Sequence, residues 1–302
     1  MLPKVRLRIA RTAGAKSAGQ PSPAEYLNHK QPKGNGGTAA PTRSKIMFDN
    51  YWMDAAVVIG LMHLAGPMAL HSTFRFTAKI APMQVGLEDL PEAVANCIAP
   101  RVGELERLGF EKVGCYDCGE LTLQTKTYVA YFCNRGTHDF ANVTAVVTPW
   151  GVSSYFEFST RFSNGKALET NSNRIAPLTP GNPDVRVFRF AEITEPEALY
   201  QIHRRLLEKY AGGLWPAGEP KGEEIQRLVR VLENYGARHV EIGYMTLAED
   251  GQSYQLTWKG AFLMAWRGLW PASLLRRMRE QHAMRVEKQE LEVRGVAALQ
   301  KA

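Results

Sequence analysis

Between residues 152 and 171 the sequence keeps a period of two and then turns. Phe156, Phe158, Thr160 and Phe162 fall on one side, Tyr155, Glu157, Ser159 and Arg161 on the other, and Ser163-Asn164-Gly165-Lys166 follows. Two is the repeat of a β-strand, so one sheet face receives large apolar side chains and the opposite face receives polar ones. Asn-Gly supplies the positive φ angles of a two-residue type I′ hairpin, which makes the next strand antiparallel. Runs near 111 to 121, 126 to 134, 140 to 148 and 166 to 171 are further strand candidates joined by short turns. The pattern predicts an antiparallel β-meander with one face buried and the other polar or lining a groove.

Helices flank this meander, which makes the fold class α+β. Leu90, Val94, Cys97, Ile98, Val102, Leu105 and Leu108 form a helical stripe, with Pro91 suited to its first turn and Gly109 to its stop. Thr194-Glu195-Pro196-Glu197 opens a second helix that runs to about Ala211, and a third is expected from Glu223 to Tyr235. Strands are expected at 74 to 79, 185 to 190, 238 to 247 and 253 to 258. Phe74-Arg75-Phe76 and Phe188-Arg189-Phe190 each precede a helix ending Leu-Glu-x-x-Gly, with a Val four residues later. That echo predicts two degenerate β-α-β-β units, an order that resembles the architecture of vicinal-oxygen-chelate enzymes without carrying any residue across. The alternative is a helix-grip-like fold, in which a curved sheet wraps one long helix.

Charge is segregated along the chain. Residues 1 to 45 hold nine Lys or Arg against Glu25 alone, and residues 259 to 302 hold nine against four acids. The body between them is therefore acidic although the whole chain carries +7. A folded nucleic-acid reader needs its positive charge on the body that meets the phosphates, so no nucleic-acid partner is expected. The first 45 residues, rich in Gly, Pro, Ser and basic side chains, are expected to be a disordered basic arm.

Next comes a segment, 46 to 71, built round Ala55 to Leu70, sixteen residues whose one strongly polar side chain is His63. A span of the hydrocarbon core takes about twenty residues, so it reads as a short membrane span, an interfacial helix or a buried helix. The α+β domain is expected over 72 to 258. In 259 to 302 amphipathic helices follow, in which Trp266 and Trp270 alternate with Arg267, Arg276 and Arg277. Indole rings and guanidinium groups on one apolar helix are what an interfacial segment uses against anionic lipid.

Chemistry-bearing motifs are sparse. Cys115, Cys118, Cys133 and His138 have the donor types and spacing of a zinc site, C-x2-C followed by C-x4-H. His203, between helix residues and beside Arg204 and Arg205, reads as a surface histidine. No phosphate loop, nucleophile elbow or metalloprotease motif is present. Two functions fit these features. One is a non-enzymatic, membrane-associated α+β module. The other is a soluble, cytoplasmic protein that binds or converts a small molecule in a cleft on the polar sheet face, with Tyr155, Glu157 and Arg161 as its first contacts.

Overall fold

The computed structural model describes residues 43–122 and 124–299. The chain divides into two units, 1–50 and 51–302. Of the first, only the start of a helix at 43–50 is described, so most of the basic arm expected at 1–45 lies outside the described residues. The second unit carries the fold.

Its elements run α1 (Arg43–Thr73), β1 (Arg75–Thr77), β2 (Met83–Val85), α2 (Glu92–Arg107), β3 (Glu111–Thr122), β4 (Thr125–Asn134), β5 (Asp139–Thr148) and β6 (Gly151–Arg161). They continue β7 (Ala167–Asn171), β8 (Val185–Arg189), α3 (Pro196–Tyr210), α4 (Glu224–Glu241), β9 (Met245–Leu247), β10 (Ser253–Leu256), α5 (Trp258–Gly268) and α6 (Ala272–Leu299). All ten strands join one sheet in the order β8-β7-β6-β5-β4-β3-β1-β10-β9, with β2 paired to β3 off that path. Every pairing is antiparallel except β7 with β8. The fold is α+β with a β-meander at its centre, as the alternation in β6 requires.

One sheet face is closed. Phe132, Ala141, Phe156, Phe158, Leu168 and Phe188 meet Val94, Ile98 and Leu105 of α2 and Leu199, Leu206 and Leu207 of α3 in a single cluster. On α3 the positions 199, 203, 206 and 207 follow helical spacing, so one stripe faces the sheet. Burying each such side chain contributes roughly 1.5–3 kcal/mol. Helix α6 secures the β8 edge. Its Glu280 meets Arg189 at 3.4 Å, its Glu287 and Glu290 hold Lys209 of α3 at 2.7 and 2.9 Å, and its Leu291 enters the closed-face core.

Several expectations change. The two β-α-β-β units do not appear in the topology, because β8 lies at one sheet edge while β9 and β10 lie at the other. Nor does one long helix fill the closed face; α2 and α3 share it. The strand expected at 238 to 247 is helix as far as Glu241, since Arg227, Gly236 and His239 continue the buried stripe of α4 and only Met245–Leu247 is left extended. The β6–β7 turn is also different. Gly165 takes φ +83, Asn164 does not turn positive, and the Gly165 amide donates to Phe162 at 2.9 Å. The loop is thus three residues long, with Asn164 accepting from the Lys166 amide at 3.1 Å.

Candidate functional site

On the second face, strand register lines up one row of side chains across five strands. Tyr131 pairs with Asn142, Asn142 with Glu157, Glu157 with Asn171, and Asn171 with Arg189. Glu157 is held in its plane by both neighbours, accepting from Asn142 Nδ2 at 3.1 Å and Asn171 Nδ2 at 3.4 Å. In the next row Phe140 pairs with Ser159 and Ser159 with Glu169, so Glu169 is the diagonal neighbour of Glu157. Diagonal neighbours have Cβ atoms about 7–8 Å apart. Glu169 meets no hydrogen-bond donor among the described residues.

This row floors a recess. Helix α4 forms one wall, packing Ile225 and Leu228 on Tyr116, Val129, Tyr131 and Phe140, with the Arg227 guanidinium 3.8 Å from the centre of the Phe140 ring. An ion pair between Glu224 and Arg135 pins the start of α4 to the β4–β5 turn. The loop 172–184 and α6 supply the other walls. Thr179 bonds Tyr235 of α4 at 2.6 Å, Arg276 of α6 donates to the Pro177 carbonyl at 2.7 Å, and Glu280 pairs with Arg189. Tyr155, Glu157, Ser159 and Glu169 all stay half-buried in the middle of the sheet, so solvent still reaches them between α4 and α6.

Its electrostatics follow from desolvation, which disfavours whichever form is charged. Burial raises the Glu157 carboxyl against the opposing pull of Asn142, Asn171 and Arg189. Burial, with Glu157 beside it, pushes Glu169 up to about 8. Tyr155 is also raised by burial and by Glu157. The guanidinium groups move the other way: burial lowers both Arg227 and Arg189. Among the described residues Arg227 Nη1, Arg189 Nε and Arg276 Nε are buried and have no partner. Two protonatable carboxyls and three incompletely bonded cations therefore lie on or beside this face. Groups perturbed in this way are candidates for ligand contact.

Tyr155 and Glu157 thus stand where the alternation put them. Arg161 is on the same face two residue pairs further along, and beside Arg227 rather than Glu157. Sequence reasoning missed Asn142, Asn171, Glu169, Arg189 and Arg227. The alternation of β5 and β7 would have found the first three; α4 and β8 reach the site only through tertiary packing.

The zinc donors are not brought together. Cys115 points into the closed-face core, while Cys118 and Cys133 lie in the cluster on the other face. Asp117 pairs with Tyr128, so Cys118 sits near the β3–β4 turn and Cys133 about 20 Å along the strand, at its far end. His138 is in the next turn, against Gly218. Among the described residues no three His, Cys, Asp or Glu side chains form a group able to hold a metal. Burial raises the Cys115 and Cys133 thiols and pushes Cys118 up to about 12, which keeps their protons on. An open cleft of about 570 Å³ between 84–88 and 112–115 borders Cys115 and stands apart from the polar row.

His203 corrects its surface reading, being fully buried on the closed face. Thr160 Oγ1 donates to Asp139 Oδ1, so its oxygen accepts from His203 Nε2 at 2.9 Å, and Thr170 donates to Nδ1 at 3.0 Å. Asp139 Oδ2 accepts from Tyr200 at 2.9 Å and Arg204 at 3.0 Å.

The apolar helices stand beyond the β1–β10–β9 end of the sheet. Of α1, the 21 residues Met53–Thr73 are long and apolar enough to cross a membrane, and 6% of the most apolar stretch is buried. Helix α5 runs antiparallel beside it: His71 stacks on Trp258 at 4.1 Å, and His63 meets Trp266 edge-on at 5.7 Å. The inner side of α5, Ala261 and Met264, packs with Tyr244, Met245 and Leu256, leaving Phe262, Trp266 and Trp270 exposed. Arg277 is exposed, whereas Arg267 and Arg276 are half-buried and turned to the carbonyls of Leu178 and Pro177. No family model, curated protein or solved structure matches the chain.

Proposed function

We propose that this protein is a membrane-associated α+β module, with α1 as its anchor and the α5–α6 hairpin resting its tip in the lipid interface. The observation that carries the reading is the side-by-side packing of α1 and α5 with their outer apolar surfaces left bare. Val57, Leu61, Leu64 and Met68 of α1, Trp266 and Trp270 at the hairpin, and Leu274, Leu275 and Met278 of α6 are all half or more exposed, or nearly so. Because His63 meets Trp266, the apolar residues of α1 ahead of His63 reach past the end of α5 and carry the insertion, with Trp266 level with its base. Scattered apolar residues are ordinary on soluble surfaces, but a neighbouring set this large marks an interaction surface. Trp270 at the turn between α5 and α6, and Trp266 at the end of α5, have the side-chain chemistry of interfacial anchors.

Flotation of the full chain with phosphatidylcholine vesicles containing phosphatidylglycerol tests this. The protein is expected to float and to resist alkaline carbonate, and recovery in the soluble fraction at low salt without detergent would overturn the reading. With α1 intact, replacing Trp266, Trp270 and Phe262 by Ser together is expected to weaken partitioning of detergent-purified protein about tenfold.

A further inference from the structure

The recess between α4, α6 and the open sheet face goes beyond attachment to a membrane, and stands whether or not that reading holds. We propose that it is a binding site for a small zwitterion, whose ammonium group lies between Glu157 and Glu169 and whose carboxylate or phosphate faces Arg227. The row of paired side chains supplies the first half. Asn142 and Asn171 each give one hydrogen bond to Glu157 from the sides, leaving a further lone pair on each carboxylate oxygen. Glu169 brings a second, unbonded carboxyl from the neighbouring strand on the same face. An ammonium bridging the two would make charge-assisted bonds to both and replace the water each has lost.

Arg227 supplies the other half. It is 4% exposed, and its Nη1 is buried without an acceptor. Its guanidinium lies over Phe140, which pairs with Ser159, itself paired with Glu169, so the orphaned donor is two strands, about 10 Å, from Glu169 on the same face, a span a small zwitterion and the side chains can bridge. Alternative occupants satisfy only part of this arrangement. A plain anion meets Glu157 and Glu169, a plain amine leaves Arg227 unpaired, and a neutral polyol leaves both charges uncompensated. The remaining charged and titratable neighbours are Arg161, Tyr131 and Glu219 near Arg227, Tyr155 and Arg189 near Glu157, and Arg276 near Arg189, the last two both beside Glu280 of α6. Because Glu169 holds its proton to about pH 8, an arriving ammonium displaces that proton into solvent.

Calorimetric titration of the full chain in detergent micelles at pH 7 tests the site, with O-phosphoethanolamine and 4-aminobutyrate as probes and ethylammonium, acetate and glucose as controls. At least one zwitterion is expected to bind below about 1 mM, about tenfold or more tighter than every control, with proton release read as a heat that differs between phosphate and Tris buffers. Glu169→Gln keeps the side-chain volume. It should weaken binding about tenfold and remove the proton release, while Arg227→Met brings the zwitterion to the affinity of ethylammonium. Thermal unfolding of both variants checks that they fold. Dihexanoyl phosphatidylethanolamine distinguishes the sources: tighter binding than O-phosphoethanolamine assigns the site to a lipid headgroup, and weaker binding to a free metabolite. No zwitterion bound up to roughly 10 mM, glucose binding as well, or a folded Glu169→Gln binding unchanged would each overturn the proposal.

Discussion

The two faces of the sheet bury similar polar groups in opposite ways. On the closed face, the oxygens of Asp139 and both nitrogens of His203 have partners, and the Thr160 hydroxyl between them both gives and takes. On the open face, among the described residues, Glu169 meets no hydrogen-bond donor, and Arg227, Arg189 and Arg276 each keep a buried nitrogen without an acceptor. A buried polar group left unmade costs about 1–3 kcal/mol, so a complete network is structural, and an incomplete one persists where something else benefits from it. The contrast marks Asp139 and His203 as part of a closed structural network, and the proposed zwitterion site rests on the incompleteness around Glu157, Glu169 and Arg227.

The largest effect expected from this contrast lies on the closed face. Asp139→Ala removes the acceptor of Thr160, Tyr200 and Arg204 at once, leaving three donors to find water from a buried position. A loss of about 4 kcal/mol in denaturant unfolding is expected. A loss under about 1 kcal/mol would show that this network is as incomplete as the open one. His203 comes next. Burial lowers its imidazole to about 4, so between that value and the unfolded value of 6.5 the unfolded chain binds more protons than the folded one. Stability is therefore full above pH 6.5 and is lost as pH falls towards 4, by about 3 kcal/mol in all. Replacing His203 with Gln should flatten that slope, as followed by denaturant midpoints from about pH 7 to about pH 4.

What could be read from the chain divides along the same line. The meander and its strand limits were legible because β6 alternates cleanly, β4 and β5 are short β-branched and aromatic runs, and all three are bounded by turns. The duplicated units were misread because Phe188-Arg189-Phe190 looks locally like Phe74-Arg75-Phe76, while strand order is decided by long-range pairing that local pattern does not encode. His203 went unrecognised as core because Arg204 and Arg205 beside it are polar; its burial follows from Leu199, Leu206 and Leu207 on the same stripe. In the site, Glu157 was visible by alternation alone. Arg227 was not, because α4 crosses the open face from another part of the chain.

On the open face the sign reverses. The folded state holds a proton on Glu169 up to about pH 8 that the unfolded chain releases near the ordinary 4.5, so folding weakens as pH rises through that window. Glu169→Gln should remove this dependence and stabilise the protein by about 2 kcal/mol above about pH 8, less than the full shift implies because solvent reaches the recess. Destabilisation by Glu169→Gln, read from the same denaturant curves, would mean that Glu169 is ionised and paired in solution, and the faces would then be alike.

The smallest effect is expected at Arg227, and it separates the two faces most cleanly. Arg227→Met keeps a long flexible side chain against Phe140 and gives up a cation over the ring, a contact worth about 1–2 kcal/mol when desolvated. It also removes a buried charge whose Nη1 has no acceptor, and replacing buried charges by apolar residues of similar volume is commonly neutral or stabilising. The two terms oppose each other, so unfolding free energy should change by less than about 1 kcal/mol in either direction. An arginine kept for packing or pairing would behave as Asp139 does, with a loss of several kcal/mol. Near-neutrality would show that the packing of Arg227 over Phe140 only offsets the cost of burying its charge, as expected of a cation that is not kept for stability alone.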